Sequence, residues 1–215
     1  MGKTILSCAL LASMAAASVA VRAFKPVVTG LGDPPAAEGW PADHELLALA
    51  AGERAQDVAP LLFDRAVSPH LAAELAGAPI DPATLIAHAR AAAEDATLIA
   101  EGVGGLLVPL TPVYSVCDLA CELGLPVLIA ARPGLGTINH TLLTLRVARE
   151  AGLEVRAVVL TPWPEHPDAI AISNRETIAE LGAVEVAALP PLARPEPAAF
   201  AAAGDALEWR RWLER

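Results

Sequence analysis

The strongest constraint on the fold is the alternation of short apolar runs with helix-like segments along most of the chain. These runs are continuously apolar, which is typical of strands buried on both faces of a parallel sheet. The predicted strands are 19–24, 97–100, 127–131, 155–160 and 184–189. The predicted helices are 3–17, 43–51, 68–75, 81–93, 116–123, 139–151, 174–181 and 203–214. The pattern predicts an α/β fold, a parallel sheet with helices on both faces, in one domain over residues 1–215.

Composition narrows the class of protein. Hydrophobic residues make up 54% and charged residues 19%, so a disordered chain is not expected. The net charge of -10 argues against a nucleic-acid partner or an anionic membrane surface, since both require clustered Lys and Arg. Three cysteines without a spaced framework favour reduced thiols and a cytoplasmic location, with Cys117 and Cys121 as core residues of one helix.

The N-terminus allows two interpretations. Lys3 followed by the apolar run 5–11 and an alanine-rich stretch imitates a secretory signal, which would make this a secreted protein. Alternatively, Gly2-Lys3-Thr4 at the start of a helix is the second half of a phosphate loop, G-x-x-x-x-G-K-[ST]. A bare G-K-T is a weak signal, so the choice depends on the residues that follow.

Polar residues directly after the predicted strands supply that evidence, because ligands bind at the carboxyl edge of such sheets. Lys25 and Thr29 follow the first strand, Asp43 starts the next helix, and Glu101 ends the strand 97–100. Two carboxylates with the Thr4 hydroxyl form a ligand set for Mg²⁺, completed by phosphate and water oxygens. On the residues alone, Asp43 could equally be a helix cap and Lys25 a solvated loop residue. A carboxylate at the end of an apolar strand is harder to explain without a partner.

A series of motifs in this order resembles the dethiobiotin synthetases, from Gly2 to about Leu192. The motifs are GKT, FKPVVTG, ADHELL, SPHLAA, EGVGGLLVPL, PVLIAARPGLGTINH and VVLTPWP. The resemblance implies a phosphate-loop ATPase fold and a cytoplasmic, homodimeric enzyme. Its substrates would be 7,8-diaminononanoate, carbon dioxide and ATP, with Mg²⁺ as the metal. An amine takes up carbon dioxide as a carbamate, ATP phosphorylates the carbamate, and the second amine closes the ureido ring with loss of phosphate.

The resemblance also implies the roles of individual residues. Lys3 and Lys25 would be catalytic, with Lys3 on the β- and γ-phosphates and Lys25 on the carbamate and the transferring phosphoryl group. The metal ligands would be Thr4, Asp43 and Glu101. The nucleotide-binding residues would be Gly2, Lys3, Thr4, Thr161, Pro162, Pro190 and Leu192. The substrate-binding residues would be Lys25, Thr29, Gly104, Gly136, Thr137, Ile138 and Asn139, of which the last four would serve the neighbouring subunit.

Two departures from the family pattern carry expectations. Many relatives have Asn where this chain has Thr161-Pro162, and its absence allows a broader nucleotide preference. The strand and loop residues that precede G-K-T in the family are absent, and Met1 stands where the family usually has Val. Loss of a buried strand would remove about 5–9 kcal/mol of core burial, comparable to a domain's whole stability. We therefore expect this chain to be poorly stable and nearly inactive.

Other interpretations remain open at this point. A cobyrinate amide synthetase-type ligase would need a glutamine-amidotransferase segment, for which the 215 residues are too few. A ParA- or MinD-like ATPase switch would act without biotin chemistry, although the missing basic patch argues against it. Gly134 and Gly136 could form a plain strand–helix turn. His70 and His140 have no ligand partner at useful spacing and are expected to be hydrogen-bonded structural residues.

Overall fold

The computed structural model describes residues 2–33 and 40–213, which form helices and short strands in alternation. The helices are α1 (Gly2–Ala16), α2 (Asp43–Ala51), α3 (Ala55–Val58), α4 (Pro69–Ala76), α5 (Pro82–Ala92), α6 (Val116–Leu123), α7 (Thr137–Glu150), α8 (Ala169–Gly182), α9 (Pro197–Gly204) and α10 (Trp209–Leu213). The strands are β1 (Val21–Phe24), β2 (Val27–Thr29), β3 (Leu61–Phe63), β4 (Thr97–Ala100), β5 (Pro109–Thr111), β6 (Tyr114–Ser115), β7 (Val127–Ala131), β8 (Val155–Leu160) and β9 (Glu185–Ala188).

Strand pairing is mostly parallel, as the apolar runs predict. β1 pairs with β4, β2 with β3, and β7, β8 and β9 form a three-stranded sheet in that order, all in parallel. The exception is the short antiparallel hairpin of β5 and β6. Between β4 and β7 no backbone pairing is present in the described part of the chain, so each of these strands has one open edge. The parallel α/β fold is confirmed, and its strands are divided into separate ladders.

Helix α1 joins the two parallel ladders that carry the site. Its residues form one buried cluster with Val21 and Ala23 of β1 and with Ala157 and Val159 of β8. Ile99 of β4 and Leu128 of β7 pack against the same cluster. One apolar helix therefore covers both ladders, and the carboxyl ends of β1, β4 and β8 meet near its N-terminus.

The C-terminal helices complete the outer side of α1. Phe200, Trp209 and Trp212 belong to the α1 cluster and are nearly fully buried. Within this apolar contact, the Ser13 hydroxyl donates to Asp205 Oδ1 at 2.6 Å and accepts from the Trp209 indole N–H at 2.9 Å. Because buried hydroxyl groups need such partners, this small network fixes where α10 sits on α1.

Several helix and strand boundaries predicted from the sequence are wrong. The stretch 57–69, expected to be irregular, contains part of α3 and all of β3. The single terminal helix predicted over 203–214 is wrong, since the chain forms α9 and α10 with a turn between them. Cys117 is buried as expected, whereas Cys121 is exposed. The expectations for Met1, for residues 34–39 of the loop after β2, and for Glu214 lie outside the described residues.

Across residues 2–33 and 40–213, no helix has both the length and the apolar character needed to cross a bilayer.

Candidate nucleotide and metal site

The predicted phosphate-binding residues form the first turn of α1. Gly2, Lys3 and Thr4 are helical, and the Thr4 side chain is almost fully buried. The first N–H groups of an α-helix have no partner within the helix, and the helix dipole adds positive potential there. A β-carbon on Gly2 would lie 3.3 Å from the Thr161 methyl carbon, so the backbone of this turn packs closely against the end of β8. The start of α1 can therefore receive an anion.

Lys25, Asp43, Glu101 and Thr4 meet at the carboxyl edge of β1 and β4, although up to 97 residues separate them in sequence. The Lys25 ammonium Nζ lies 2.5 Å from Glu101 Oε1 and 2.9 Å from Asp43 Oδ2. The Thr4 hydroxyl donates to the same Glu101 oxygen at 2.9 Å. These contacts bring together one cation, two carboxylates and one hydroxyl, as the residues after the strands predict.

Backbone geometry explains why the four side chains converge. Lys25 follows β1, and its N–H donates to the Val58 carbonyl at 2.9 Å. Glu101 follows the neighbouring strand β4, and its N–H donates to the Phe24 carbonyl at 2.8 Å. Parallel strands place their carboxyl ends at one edge of the sheet, so the residues that follow them become neighbours.

Burial and neighbouring charges shift the pKa values of Lys25 and Asp43 in opposite directions. Burial lowers the pKa of Lys25, but the charges of Glu101 and Asp43 and their hydrogen bonds outweigh it, so its pKa is raised above 10.5. Burial raises the pKa of Asp43, yet the charge of Lys25 and its hydrogen bond hold it below 3.8. Both groups are therefore charged at neutral pH, as an ion pair in a largely buried setting.

Lys3 has a different environment. Burial lowers its pKa, the charge of Lys25 adds to that effect, and the attraction of Glu101 does not compensate. No carboxylate in the described part of the chain forms an ion pair with Lys3. A half-buried ammonium beside another cation favours an anionic ligand, and phosphate at the start of α1 satisfies that requirement.

The oxygen atoms of Thr4, Asp43 and Glu101 can bind Mg²⁺ only together with oxygen atoms from a bound phosphate or from water. In the described ranges no cluster of three His, Cys, Asp or Glu side chains could hold a metal by itself. However, Glu101 Oε2 is buried without a hydrogen-bond partner among the described residues, while Oε1 of the same carboxylate accepts from the Thr4 hydroxyl. Two carboxylates and a hydroxyl are a partial oxygen set of the kind that Mg²⁺ completes with phosphate oxygens and water.

Two predicted substrate residues follow members of the cluster closely in sequence, but in the described ranges they do not bond to it. Thr29 ends β2 opposite Phe63 of β3, and Gly104 lies in the turn after Glu101. Within the described residues neither shares a hydrogen bond with the Lys25 group. At Gly104 the backbone φ is +65°, and a β-carbon would lie 2.7 Å from a Val108 methyl carbon, so glycine is required there for the turn.

The glycine turn after β7 opens α7. Gly136 is the N-cap with φ +87°, Thr137 is buried, Ile138 packs on the cluster that includes Ile129 and Leu145, and Asn139 is exposed. The turn is held by a residue that the sequence analysis did not single out. The Asn174 amide donates to the carbonyl oxygens of Pro133 at 2.8 Å and Gly134 at 3.2 Å. Helix α8 begins at Ala169 rather than at Asn174, so Asn174 lies inside the helix and faces the turn.

The two segments expected to flank the nucleotide base lie side by side. The Trp163 N–H donates to the Leu189 carbonyl at 2.8 Å, and the Leu189 N–H donates to the Leu160 carbonyl at 2.9 Å. Thr161 is buried with its methyl group against Gly2, whereas Pro162 and Pro190 are exposed and Leu192 is half-buried. Thr161 therefore contacts the first turn of α1, and the residues that follow it remain available to a base.

The two histidines differ from expectation. His70 Nδ1 is buried without a hydrogen-bond partner among the described residues, so the prediction of a satisfied histidine is wrong at that atom. His140 is exposed on α7 and has no side-chain hydrogen bond in the described ranges.

A parallel α/β fold whose G-K-T turn opens a helix beside a Lys–Asp–Glu cluster defines a nucleotide-binding domain of the phosphate-loop class. Consistent with this, the sequence model of the AAA-domain family matches residues 1–198. The chain is also 40% identical over 193 residues to the ATP-dependent dethiobiotin synthetase BioD of Anaeromyxobacter sp. (strain K), covering 88% of this chain and 84% of the relative. This chain belongs to the dethiobiotin synthetase family.

Two more relatives with the same printed name support that assignment. The protein of Caulobacter sp. (strain K31) is 40% identical over 172 residues, covering 78% of this chain and 74% of the relative. The protein of Mycobacterium sp. (strain KMS) is 37% identical over 193 residues, covering 88% of this chain and 82% of the relative.

Proposed function

We propose that this chain catalyses ATP-driven closure of the ureido ring of dethiobiotin from 7,8-diaminononanoate and carbon dioxide. The observation that carries the proposal is the convergence of Lys25, Asp43, Glu101 and Thr4 at the N-terminus of α1, in a chain of the dethiobiotin synthetase family. A carbamate and a triphosphate repel each other, so a site that joins them must supply positive charge. Lys3 and Lys25 supply it, and they are the only two lysines in the sequence.

Each residue has a defined task in this proposal. The N–H groups at Gly2 and Lys3 and the Lys3 ammonium bind the β- and γ-phosphates of ATP. Thr4, Asp43 and Glu101 hold Mg²⁺, which when bound neutralises phosphate charge. Lys25 orients the carbamate oxygen toward the γ-phosphorus and stabilises the charge on the transferring group. The second amine then forms the C–N bond and phosphate departs.

The remaining predicted residues recognise the rest of the ligands. Thr29 and Gly104 border the reacting end of the substrate beside Lys25. The first turn of α7, with its free N–H groups at Ile138 and Asn139, suits the carboxylate at the other end of diaminononanoate. Pro162, Pro190 and Leu192 border the base, with Thr161 between them and Gly2. None of these side chains offers a carboxamide to the base, which favours a broad nucleotide preference.

We also propose that the working unit is a homodimer in which the α7 turn serves the partner's site. Leu135 in that turn is 98% exposed and Leu143 of α7 is 54% exposed, and apolar residues so exposed are frequent at interfaces. Mixing a Lys25→Met protein with an Ile138→Pro protein tests this, because proline removes one of the free N–H groups of the turn and each heterodimer would hold one intact composite site. We expect recovery of about a quarter of the wild-type activity, from half the dimers with half their sites intact. No recovery after subunit exchange would mean that each chain forms its site alone.

The principal experiment is mass-spectrometric detection of dethiobiotin from diaminononanoate, bicarbonate, Mg²⁺ and ATP. Glu101→Gln should reduce turnover by about 10²–10³-fold, the effect of removing one charged group from a transition-state site. Glu74→Gln, an exposed change of the same chemistry on α4, is the matched control and should leave turnover unchanged. ATP hydrolysis by folded wild-type protein without any dethiobiotin would instead support an ATPase switch. Replacing ATP by CTP, GTP or UTP in the same assay measures the nucleotide preference.

A further inference from the structure

Lys25 bonds the same two carboxylates that the proposed function assigns to Mg²⁺. Its ammonium lies 2.5 Å from Glu101 and 2.9 Å from Asp43, and both Lys25 and Glu101 are nearly fully buried. An ammonium has three N–H donors, so these two contacts leave one for a substrate. In this arrangement Lys25 neutralises the carboxylates and has one N–H left for any other ligand.

A dication placed on these carboxylates repels the ammonium. At equal distance, the repulsion between a dication and an ammonium is twice that between two unit positive charges. Glu101 Oε1 accepts from both Lys25 and Thr4, and Oε2 has no partner among the described residues, so a metal bound by Thr4 and Glu101 lies on the carboxylate that already holds the ammonium. The two cations therefore repel each other across one carboxylate.

We infer that Lys25 and Mg²⁺ compete for Asp43 and Glu101, so that metal loading releases the Lys25 side chain toward the substrate. This inference rests on the proposed function, whose metal ligands and substrate it uses. The Lys25 backbone stays in place, because its N–H is bonded to the Val58 carbonyl at the end of β1. The flexible four-carbon stem moves the ammonium instead. The neighbouring charge of Lys3 directs it toward an anion, since two ammonium groups need a negative charge between them.

Order of binding follows from this competition. Before the metal binds, Lys25 neutralises the partly exposed Asp43 and the buried Glu101, where an unpaired charge is costly. After the metal binds, the released ammonium is available for the carbamate, so the cation that stabilises phosphoryl transfer is mobilised only when the metal is present. Lys25 thus first neutralises the carboxylates that later bind the metal, and then acts as a catalytic residue.

Acetylation of the wild-type protein tests the release directly, because the chain has two lysines and mass spectrometry resolves both. The protein is treated with N-hydroxysuccinimidyl acetate in saturating MgCl₂ or in NaCl of equal ionic strength, without nucleotide. The MgCl₂ concentration that saturates the protein is determined beforehand by calorimetry. We expect Lys25 to be acetylated several-fold faster in Mg²⁺, with a lysine-containing peptide added to both reactions as the reference for reagent activity. An unchanged Lys25 rate at saturating Mg²⁺ would overturn the inference.

A second measurement uses Mn²⁺ as the probe and electron paramagnetic resonance as the readout. Lys25→Met should bind Mn²⁺ about tenfold more tightly than the wild type, a coupling of typical size between two sites. Arg146→Met removes one positive charge from an exposed ion pair on α7 and should leave Mn²⁺ affinity unchanged. Equal or weaker Mn²⁺ binding by a folded Lys25→Met protein contradicts the competition. If wild type binds no Mn²⁺ with or without ATP, the metal site itself is wrong, and the Mg²⁺ role in the proposed function is lost with the inference.

Discussion

The Cα of Gly204 lies so close to α1 that a β-carbon there would be 2.1 Å from the Ala9 carbonyl oxygen and 2.7 Å from the Ser13 β-carbon. Gly204 ends α9, and Ala9 lies in the middle of the helix whose first turn carries Lys3 and Thr4. Backbone approach of this kind is available only to glycine. The contact therefore determines how closely the C-terminal helices pack on the phosphate-binding helix.

Gly204→Ala should destabilise the protein by about 1–3 kcal/mol or more, because the added methyl group forces α9 away from a fully packed helix. The free energy of unfolding is measured by urea denaturation. Gly105→Ala is the matched control, since a β-carbon there meets nothing within 4 Å. Equal denaturation midpoints for the Gly204→Ala protein and the wild type would show that the helices adjust without strain.

Lys3→Met should stabilise the folded protein at neutral pH while weakening ATP binding. Burial and the charge of Lys25 lower the pKa of Lys3, which means that folding disfavours its charged form. Removing that charge increases the free energy of unfolding, and it also removes the cation proposed to bind phosphate. The midpoint of thermal unfolding and the dissociation constant for ATP, measured on the same preparation, check both parts.

The control for Lys3→Met is Lys3→Arg, which keeps the charge and should keep the lower stability. A Lys3→Met protein that is less stable than the wild type would contradict the electrostatic explanation. Unchanged ATP affinity would instead contradict the role of Lys3 in binding phosphate.

Asp43 should contribute stability that is lost in acid. Its folded pKa is held below 3.8 by Lys25, so its contribution is present above pH 3.8 and disappears as the pH falls through the lower, folded value. Asp43→Asn cannot titrate there. We expect the variant to be less stable than the wild type at neutral pH, and the difference to shrink as the pH falls below 3.8. Unfolding free energies of both proteins across the acid range provide the measurement, and a constant difference would show that the carboxylate charge does not stabilise the fold.

The cluster at the carboxyl edge could be predicted from the sequence, because residues that directly follow parallel strands become neighbours at one edge of the sheet. Lys25 and Glu101 could be placed in this way from their positions after two strands. That Lys25 bonds both carboxylates could not be predicted, because it depends on where α2 places Asp43 relative to β1 and β4.

Other parts of the structure depend on packing that sequence periodicity does not report. The alanine-rich C-terminus was predicted as one helix, but the chain turns after Gly204, and Trp209 docks through its indole N–H on Ser13 of α1. The hairpin of β5 and β6 was missed because its strands are two and three residues long, too short for an alternating pattern. The open edges of β4 and β7 likewise follow from tertiary arrangement.

Asn174→Ala should loosen the glycine turn at the start of α7 and thereby weaken binding of diaminononanoate. The Asn174 amide is bonded to two carbonyl oxygens of the turn, and those bonds hold Gly136 and the first free N–H groups of α7 in position. Because the residue positions a binding element and is not proposed to contact the reacting atoms, we expect KM for diaminononanoate to rise about tenfold, the effect of losing about 1–1.5 kcal/mol of hydrogen bonding, with kcat little changed. Asn174→Asp is the matched comparison, since it has the same size but cannot donate to the two carbonyl groups when ionised, and it should be at least as impaired. A fall in kcat with an unchanged KM would instead place Asn174 in the chemical step.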